Sequence, residues 1–109
     1  MKRAHLGEFE ELVVLAVASL HGGTYGLEVQ RVLADEARRT VALATVHSAL
    51  YRLERKGYLQ SELGGATQQR GGRRKRLFTV TGTGLSVLAD ARDVREHLWQ
   101  MVHRLYPTG

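Results

Sequence analysis

Apolar positions along the chain fall into four stretches of helical period and one of strand alternation. The clearest helix is Thr40 to Gly57, where Val46, Leu50 and Leu53 recur on one face while Thr45, Ser48, Arg52 and Arg55 recur on another. The first stripe packs inward; the second is polar near its start and cationic near its end. Gly57 supplies the left-handed conformation that closes a helix, and Arg55 and Lys56 suit its negative dipole end. An earlier helix, from about Gly7 to Leu20, carries Phe9, Leu12, Val13, Ala16, Val17 and Leu20 on one broad face, with Val14, Leu15 and Ala18 covering much of the rest. A helix so apolar is expected to be buried on more than one side, by the domain core and by a second surface, of which a second subunit is the simplest supplier. His21-Gly22-Gly23 ends it, and the Thr24 hydroxyl is expected to cap the next helix. That helix, Tyr25 to about Ala37, turns Val29, Val32 and Leu33 inward and Glu28, Arg31 and Asp35 outward.

From Tyr58 the pattern changes to alternation, Leu59, Ser61 and Leu63 against Tyr58, Gln60 and Glu62, until Gly64-Gly65 breaks it. A second strand begins in Arg73-Arg74-Lys75-Arg76 and continues Leu77-Phe78-Thr79-Val80-Thr81, whose β-branched and aromatic content fits a pleated surface. The two make a hairpin with a glycine-bearing tip. Five of the seven residues from Arg70 to Arg76 are Arg or Lys, a density whose self-repulsion a polyanion would relieve. A helix suited to a groove, followed by a positively charged strand pair, is the layout of a winged helix that reads DNA. The expected fold is mainly α with a small β-hairpin, a winged helix-turn-helix over residues 1–81.

The last helix opens near Thr81, whose hydroxyl is placed to cap it, and carries Val87, Ala91, Val94, Leu98, Met101 and Leu105 at alternating spacings of four and three. This heptad seam has little of its own domain to pack against. Residues 82–109 are therefore read as a dimerisation helix, with folding back onto the first helix as an alternative that a small dimer can combine with pairing. Two reading helices held about one DNA turn apart would recognise a symmetric site.

Several motifs in order carry a family resemblance: Tyr25-Gly26, Ala44-Thr45-Val46-His47 through Leu53-Glu54, Gly57-Tyr58-Leu59, Gly71-Gly72-Arg73-Arg74-Lys75-Arg76-Leu77-Phe78, and Thr81-x-x-Gly84. Together they resemble the PadR family of bacterial transcriptional regulators, of the short type with a single C-terminal helix, over nearly the whole chain. The resemblance implies a dimeric winged-helix repressor that binds an imperfect palindrome and often responds to a small molecule. One departure stands out: where the family usually has a tyrosine, two residues after Thr45, this chain has His47. Either that histidine adds pH dependence to DNA binding or it is an ordinary surface side chain.

On this reading Thr45, Ser48 and Arg52 contact bases in the major groove, with His47 and Tyr51 at its margin. Arg70, Arg73, Arg74, Lys75 and Arg76 neutralise phosphates or enter the minor groove. Tyr25 either offers its hydroxyl to a phosphate at the positive end of its helix or fills part of the core. The expected dimer interface is Phe9, Leu12, Val87, Ala91, Val94, Leu98, Trp99, Met101, Val102 and Leu105. Trp99 and Met101 are also candidates for an effector surface, since in some short PadR-like proteins an aromatic residue of the paired C-terminal helix stacks on flat cationic compounds. Trp99 does not occupy the same helical position, and the plain reading is that it fills an interface.

Composition agrees. The 109 residues form one small domain with a modest core. They include 16 Lys and Arg against 11 Asp and Glu, a net charge of +5 that favours nucleic acid or an anionic surface as partner. The absence of cysteine excludes a disulfide framework and thiolate chemistry. No segment reads as a membrane span or a signal peptide, which makes the cytoplasm the default. Asp93 with His97 and Glu96 with His103 have helix-face spacings a metal could use, but surface ion pairing is the simpler reading, and neither metal nor cofactor is expected. No serine has a nucleophile-elbow context, no glycine-rich loop links a strand to a helix, and no carboxylate pair stands in an apolar setting, so no enzyme is expected. A protein-interaction module, and a non-specific nucleic-acid-binding protein, are the rival readings.

Overall fold

A computed structural model describes residues 6–64 and 75–107. The order of elements is α1 (Glu8–Ser19), α2 (Gly26–Glu36), α3 (Leu43–Arg55), β1 (Leu59–Leu63), β2 (Arg76–Val80) and α4 (Gly82–Leu105), four helices and one antiparallel hairpin, as the residue pattern predicts. The hairpin register pairs Leu59 with Val80 and Leu63 with Arg76, and Gly64 N–H extends the ladder to the Lys75 carbonyl at 2.7 Å.

The core forms where the apolar stripes of α1, α2 and α3 meet the inner face of the hairpin. Val13, Val14 and Val17 of α1, Val29 and Leu33 of α2, Val46, Leu50 and Leu53 of α3, and Leu59 and Phe78 of the sheet are buried. Each such side chain contributes about 1.5–3 kcal/mol relative to exposure. α1 buries Val14 as fully as Val13, and Leu15 is the residue it leaves facing outward.

α3 ends as its sequence predicts. Gly57 adopts φ 85°, its N–H reaches the Glu54 carbonyl, and the Tyr58 N–H reaches that of Leu53, the paired bonds of a Schellman closure. Its start differs: residues from Thr40 to Ala42 precede the helix, which begins at Leu43. The Gln30 side chain donates to the Val41 carbonyl at 2.9 Å, so a tertiary bond takes an acceptor that a longer helix would use.

Thr24 does not cap α2, contrary to expectation. It is fully buried and pairs with β2 through N–H···O bonds in both directions with Phe78, 2.9 and 2.8 Å, acting as a short third strand. Its hydroxyl donates to Glu28, whose carboxylate also accepts from the Tyr25 N–H; these two bonds lower the Glu28 pKa. The residue flanking α2 is Tyr25.

Thr81 caps α4, accepting from Gly84 N–H at 3.0 Å, and donates to the Gly57 carbonyl at 2.7 Å. That joint fixes the start of α4 to the end of α3. Only the first turns of α4 enter the core, through Gly84, Val87 and Leu88. From Val94 onward the apolar seam is uncovered, with Leu98 53% and Leu105 75% exposed. The radius of gyration is 16.4 Å, against about 13 Å for a compact domain of this length. No helix among the described residues is long and apolar enough to cross a membrane.

An ion cluster joins α1 to α3. Glu10 accepts from Arg52 Nε at 2.8 Å, from Lys56 Nζ at 2.9 and 3.0 Å, and from the Gly7 amide at 3.1 Å. Burial opposes its charged form, but the hydrogen bonds from Arg52, Lys56 and Gly7 outweigh it and lower the pKa from 4.5 to about 2.

Two outcomes are expected. A Cβ on Gly84 would lie 2.2 Å from the Tyr58 carbonyl oxygen, a backbone atom that cannot step aside, so Gly84→Ala should destabilise by about 1–3 kcal/mol in urea unfolding. Because the folded pKa of Glu10 is depressed, its stabilisation is present above pH 4.5 and lost as pH falls toward 2. Glu10→Gln should cost about 2 kcal/mol at neutral pH, and unfolding midpoints at stepped pH should show the wild type losing its advantage across that window.

Candidate nucleic-acid interface

The outward face of α3 is polar and open over its first half. Thr45, His47, Ser48 and Tyr51 are exposed, while Val46, Ala49 and Leu50 anchor the opposite side. This follows from the helical period: residues one turn apart share a face, and the buried stripe fixes which face remains. Thr45 and Ser48 thus present hydroxyls on a rigid helix, able to donate or accept.

His47 is held against α2. A Cβ on Gly26 would approach the His47 Nε2 to 2.4 Å, so the imidazole occupies the space that the absent side chain leaves at the first turn of α2. Tyr51 lies one turn on, its ring 6.5 Å from that of His47 and edge-on to Phe78 at 5.8 Å. An aromatic run therefore leads from the open face of α3 to the buried Phe78 of the hairpin.

Tyr25 stands beside this run at the start of α2, with the Lys75 ammonium 5.4 Å above its ring, a cation–π contact. Its hydroxyl is close to Gly64, where a Cβ would come within 3.3 Å. Tyr25 thereby touches both ends of the hairpin mouth. It is partly buried, between the two roles open to it from sequence.

The other predicted residues divide. Arg52 is turned toward α1, its Nε occupied by Glu10, with its side chain 43% exposed. Arg76 donates through Nε to Ser61 Oγ at 3.1 Å, and Ser61 in turn donates to Glu54 of α3 at 2.7 Å. Both cations are thus tied into the scaffold. Arg70, Arg73 and Arg74 lie outside the described residues. The structure leaves Thr45, His47, Ser48 and Tyr51 exposed on α3, seats His47 on Gly26, the chain neighbour of Tyr25, and stacks Lys75 on the Tyr25 ring.

Sequence reasoning missed Glu10, Lys56 and Gly26. Glu10 and Lys56 meet across 46 positions, a separation over which no periodicity speaks. Gly26 was noted only as half of a dipeptide; its service as the platform under His47 needs the third dimension.

In the predicted seam, Val87 is buried in its own chain and Phe9 and Leu12 pack partly buried against the core, whereas Val94, Leu98, Trp99, Met101, Val102 and Leu105 are exposed. Leu15, Leu85, Leu88 and Trp99 line a groove of about 440 Å³ between α1 and α4, rimmed by Glu11, Arg92, Arg95 and Glu96. Met101 is not among its walls. Among the described residues no group of three His, Cys, Asp or Glu side chains is placed to hold a metal ion.

No match is found among curated proteins. Solved structures with the same fold include a PadR-like transcription factor from Bacteroides fragilis, 25% identical, TM-score 0.74, covering 89% of this chain and 88% of that one. A PadR family transcriptional regulator from Eggerthella lenta is 27% identical, TM-score 0.69, covering 94% and 88%. PadR from Bacillus subtilis in complex with operator DNA is 14% identical, TM-score 0.64; the match covers 75% of this chain and 45% of that one, a likeness of fold alone. The model of the transcriptional regulator PadR-like family matches residues 14–90. That span runs from the middle of α1, through α2, α3 and both strands, into α4, and the chain belongs to the PadR-like family of transcriptional regulators.

Proposed function

We propose that this chain is a dimeric, sequence-specific DNA-binding repressor that recognises a palindromic operator through α3 and adjusts its grip in response to a small molecule. The observation that carries this reading is the open polar face of α3, with His47 seated on Gly26 and the neighbouring Tyr25 holding Lys75. It joins hydroxyls able to read base edges to a cation able to meet phosphate. Thr45 and Ser48 enter the major groove, His47 and Tyr51 border it, and Lys75 with the arginines of the wing meets the backbone. Arg52 and Arg76, already bonded to Glu10 and Ser61, hold the reading helix and the wing in place, and Arg52 reaches a base only by giving up Glu10.

Dimerisation is supported by the uncovered half of α4. Val94, Leu98, Met101 and Leu105 repeat at heptad spacing and have no cover in their own chain, a larger apolar stripe than a monomer normally leaves in water. Pairing there would set two copies of α3 about one DNA turn apart, roughly 34–36 Å. The groove beside Trp99 is the place where an effector would alter that spacing. Such a regulator bound across a promoter would exclude polymerase, which is the sense in which we infer repression. No step of this reading is catalytic.

The test is titration of the full chain onto labelled duplexes tiling the region upstream of its own gene, with scrambled duplexes beside them at physiological salt. One tile bound far more tightly than its scramble is expected; uniform binding would favour non-specific association, and no binding a protein partner. With the operator in hand, Thr45→Ala should erode discrimination by about 1–3 kcal/mol. Lys75→Ala should weaken binding to every duplex and reduce the salt slope by about one. Leu98→Glu, which places a charge in the seam, should shift sedimentation from dimer to monomer and lower operator affinity, although Leu98 is far from the reading face.

A further inference from the structure

Three glutamates at the start of α1 reach three different elements. Glu8 meets Arg39, in the connection from α2 to α3, at 2.7 Å; Glu10 takes Arg52 and Lys56 of α3; Glu11 accepts from Arg95 of α4. Consecutive residues of a helix point about 100° apart, so Glu10 and Glu11 serve different flanks of α1, one toward the reading helix and one toward the long helix. Their side chains are 12% and 16% exposed. The Glu10 contacts, partly buried, resist screening better than surface ion pairs do, while the Glu11–Arg95 pair is open to solvent on its arginine side.

Arg95 lies beyond the last core residue of α4, in the half that the domain does not cover, and on the rim of the groove beside Trp99. Among the described residues, no other hydrogen bond or ion pair joins α4 beyond Ala91 to the rest of the chain. The path from the uncovered half of α4 to α3 is therefore short: Arg95, Glu11, one peptide unit, Glu10, then Arg52 and Lys56. From this geometry we propose that Glu10 and Glu11 are positioning residues, an ionic relay by which the outer half of α4, and whatever covers it, sets the seating of the reading helix. The proposal rests on α3 being the DNA reader.

Charge makes the relay testable, because it predicts a result opposite to simple electrostatics. Glu11→Gln adds one positive charge to the chain and Arg95→Gln removes one. If each acted only through net charge, the first would tighten binding to any polyanion and the second would loosen it. A relay instead makes both variants lose selectivity in the same direction, and makes the double variant no worse than either single one.

The experiment compares the full-length wild type, Glu11→Gln, Arg95→Gln and the double variant for binding to a selected operator duplex and its scramble, with sedimentation run alongside. The expected result is a fall of about fivefold in the operator-to-scramble affinity ratio for each single variant, with no further fall in the double. An unchanged ratio, with affinity for both duplexes shifted in opposite directions by the two variants, or losses that add, overturns the proposal. Should either single change loosen the dimer, the charge-swapped pair, Glu11→Arg with Arg95→Glu, decides: restored selectivity upholds the relay and failure to restore it overturns the relay. A second readout needs no DNA. Backbone amides of α3 from Leu50 to Lys56 should exchange faster in Arg95→Gln than in the wild type, though Arg95 does not bond to α3, and unchanged exchange overturns the relay even where the DNA reading stands. Conversely, a wild type that binds every duplex alike removes the DNA reading, and the relay with it, before any variant is compared.

Discussion

Phe78 is the residue on which the geometry around the open face of α3 depends. It is almost fully buried, and its strand is held on both edges, by the Thr24 backbone on one side and by its pairing with Ser61 on the other. The edge contact with Tyr51 then fixes α3 against the same ring. Three elements, the residue leading into α2, the middle of α3 and the hairpin, converge on this one residue, through its backbone or its ring. The backbone bonds to Thr24 supply direction and the buried ring supplies most of the free energy, since apolar burial scales with area and hydrogen bonds contribute about 1 kcal/mol net each.

A second constraint is the arrangement of charge. A basic domain must hold its cations apart or neutralise them, and here acidic residues are gathered at the start of α1, where they also suit the positive end of that helix. From there they neutralise Arg39, Arg52, Lys56 and Arg95. Among the described residues, Lys75 and Arg55 are exposed cations outside this pairing. The domain thus separates structural cations from available ones, a distinction that net charge conceals.

Most of the architecture was legible because it is local. The buried stripe of α3, its closure at Gly57, the cap of α4 at Thr81 and the alternation of the hairpin depend on residues within a few positions of one another. What was not legible depends on distant partners. Thr24 has the chemistry of a cap, and a bridge to Phe78 placed it in the sheet instead. Thr40 stands at the head of a helical pattern, yet Gln30 holds the Val41 carbonyl outside the helix. Arg52 shares the polar face of α3 by period, and its partner on α1 is 42 residues away. The open half of the candidate site, Thr45, His47, Ser48 and Tyr51, was recoverable because it is the complement of the core stripe. The paired half was not, because a cation's sequence position says nothing about which carboxylate reaches it.

The Thr81 joint and the short buried stretch of α4 leave its outer turns dependent on intrahelical hydrogen bonds and the Arg95 contact. The segment from Arg92 to Leu105 is of the length, about 12–15 residues, at which a helix in water is marginal. In a solitary chain its end would open more readily than the buried turns, and a covering surface would hold it closed. The amount of helix in α4 is then itself a measure of how fully that face is occupied.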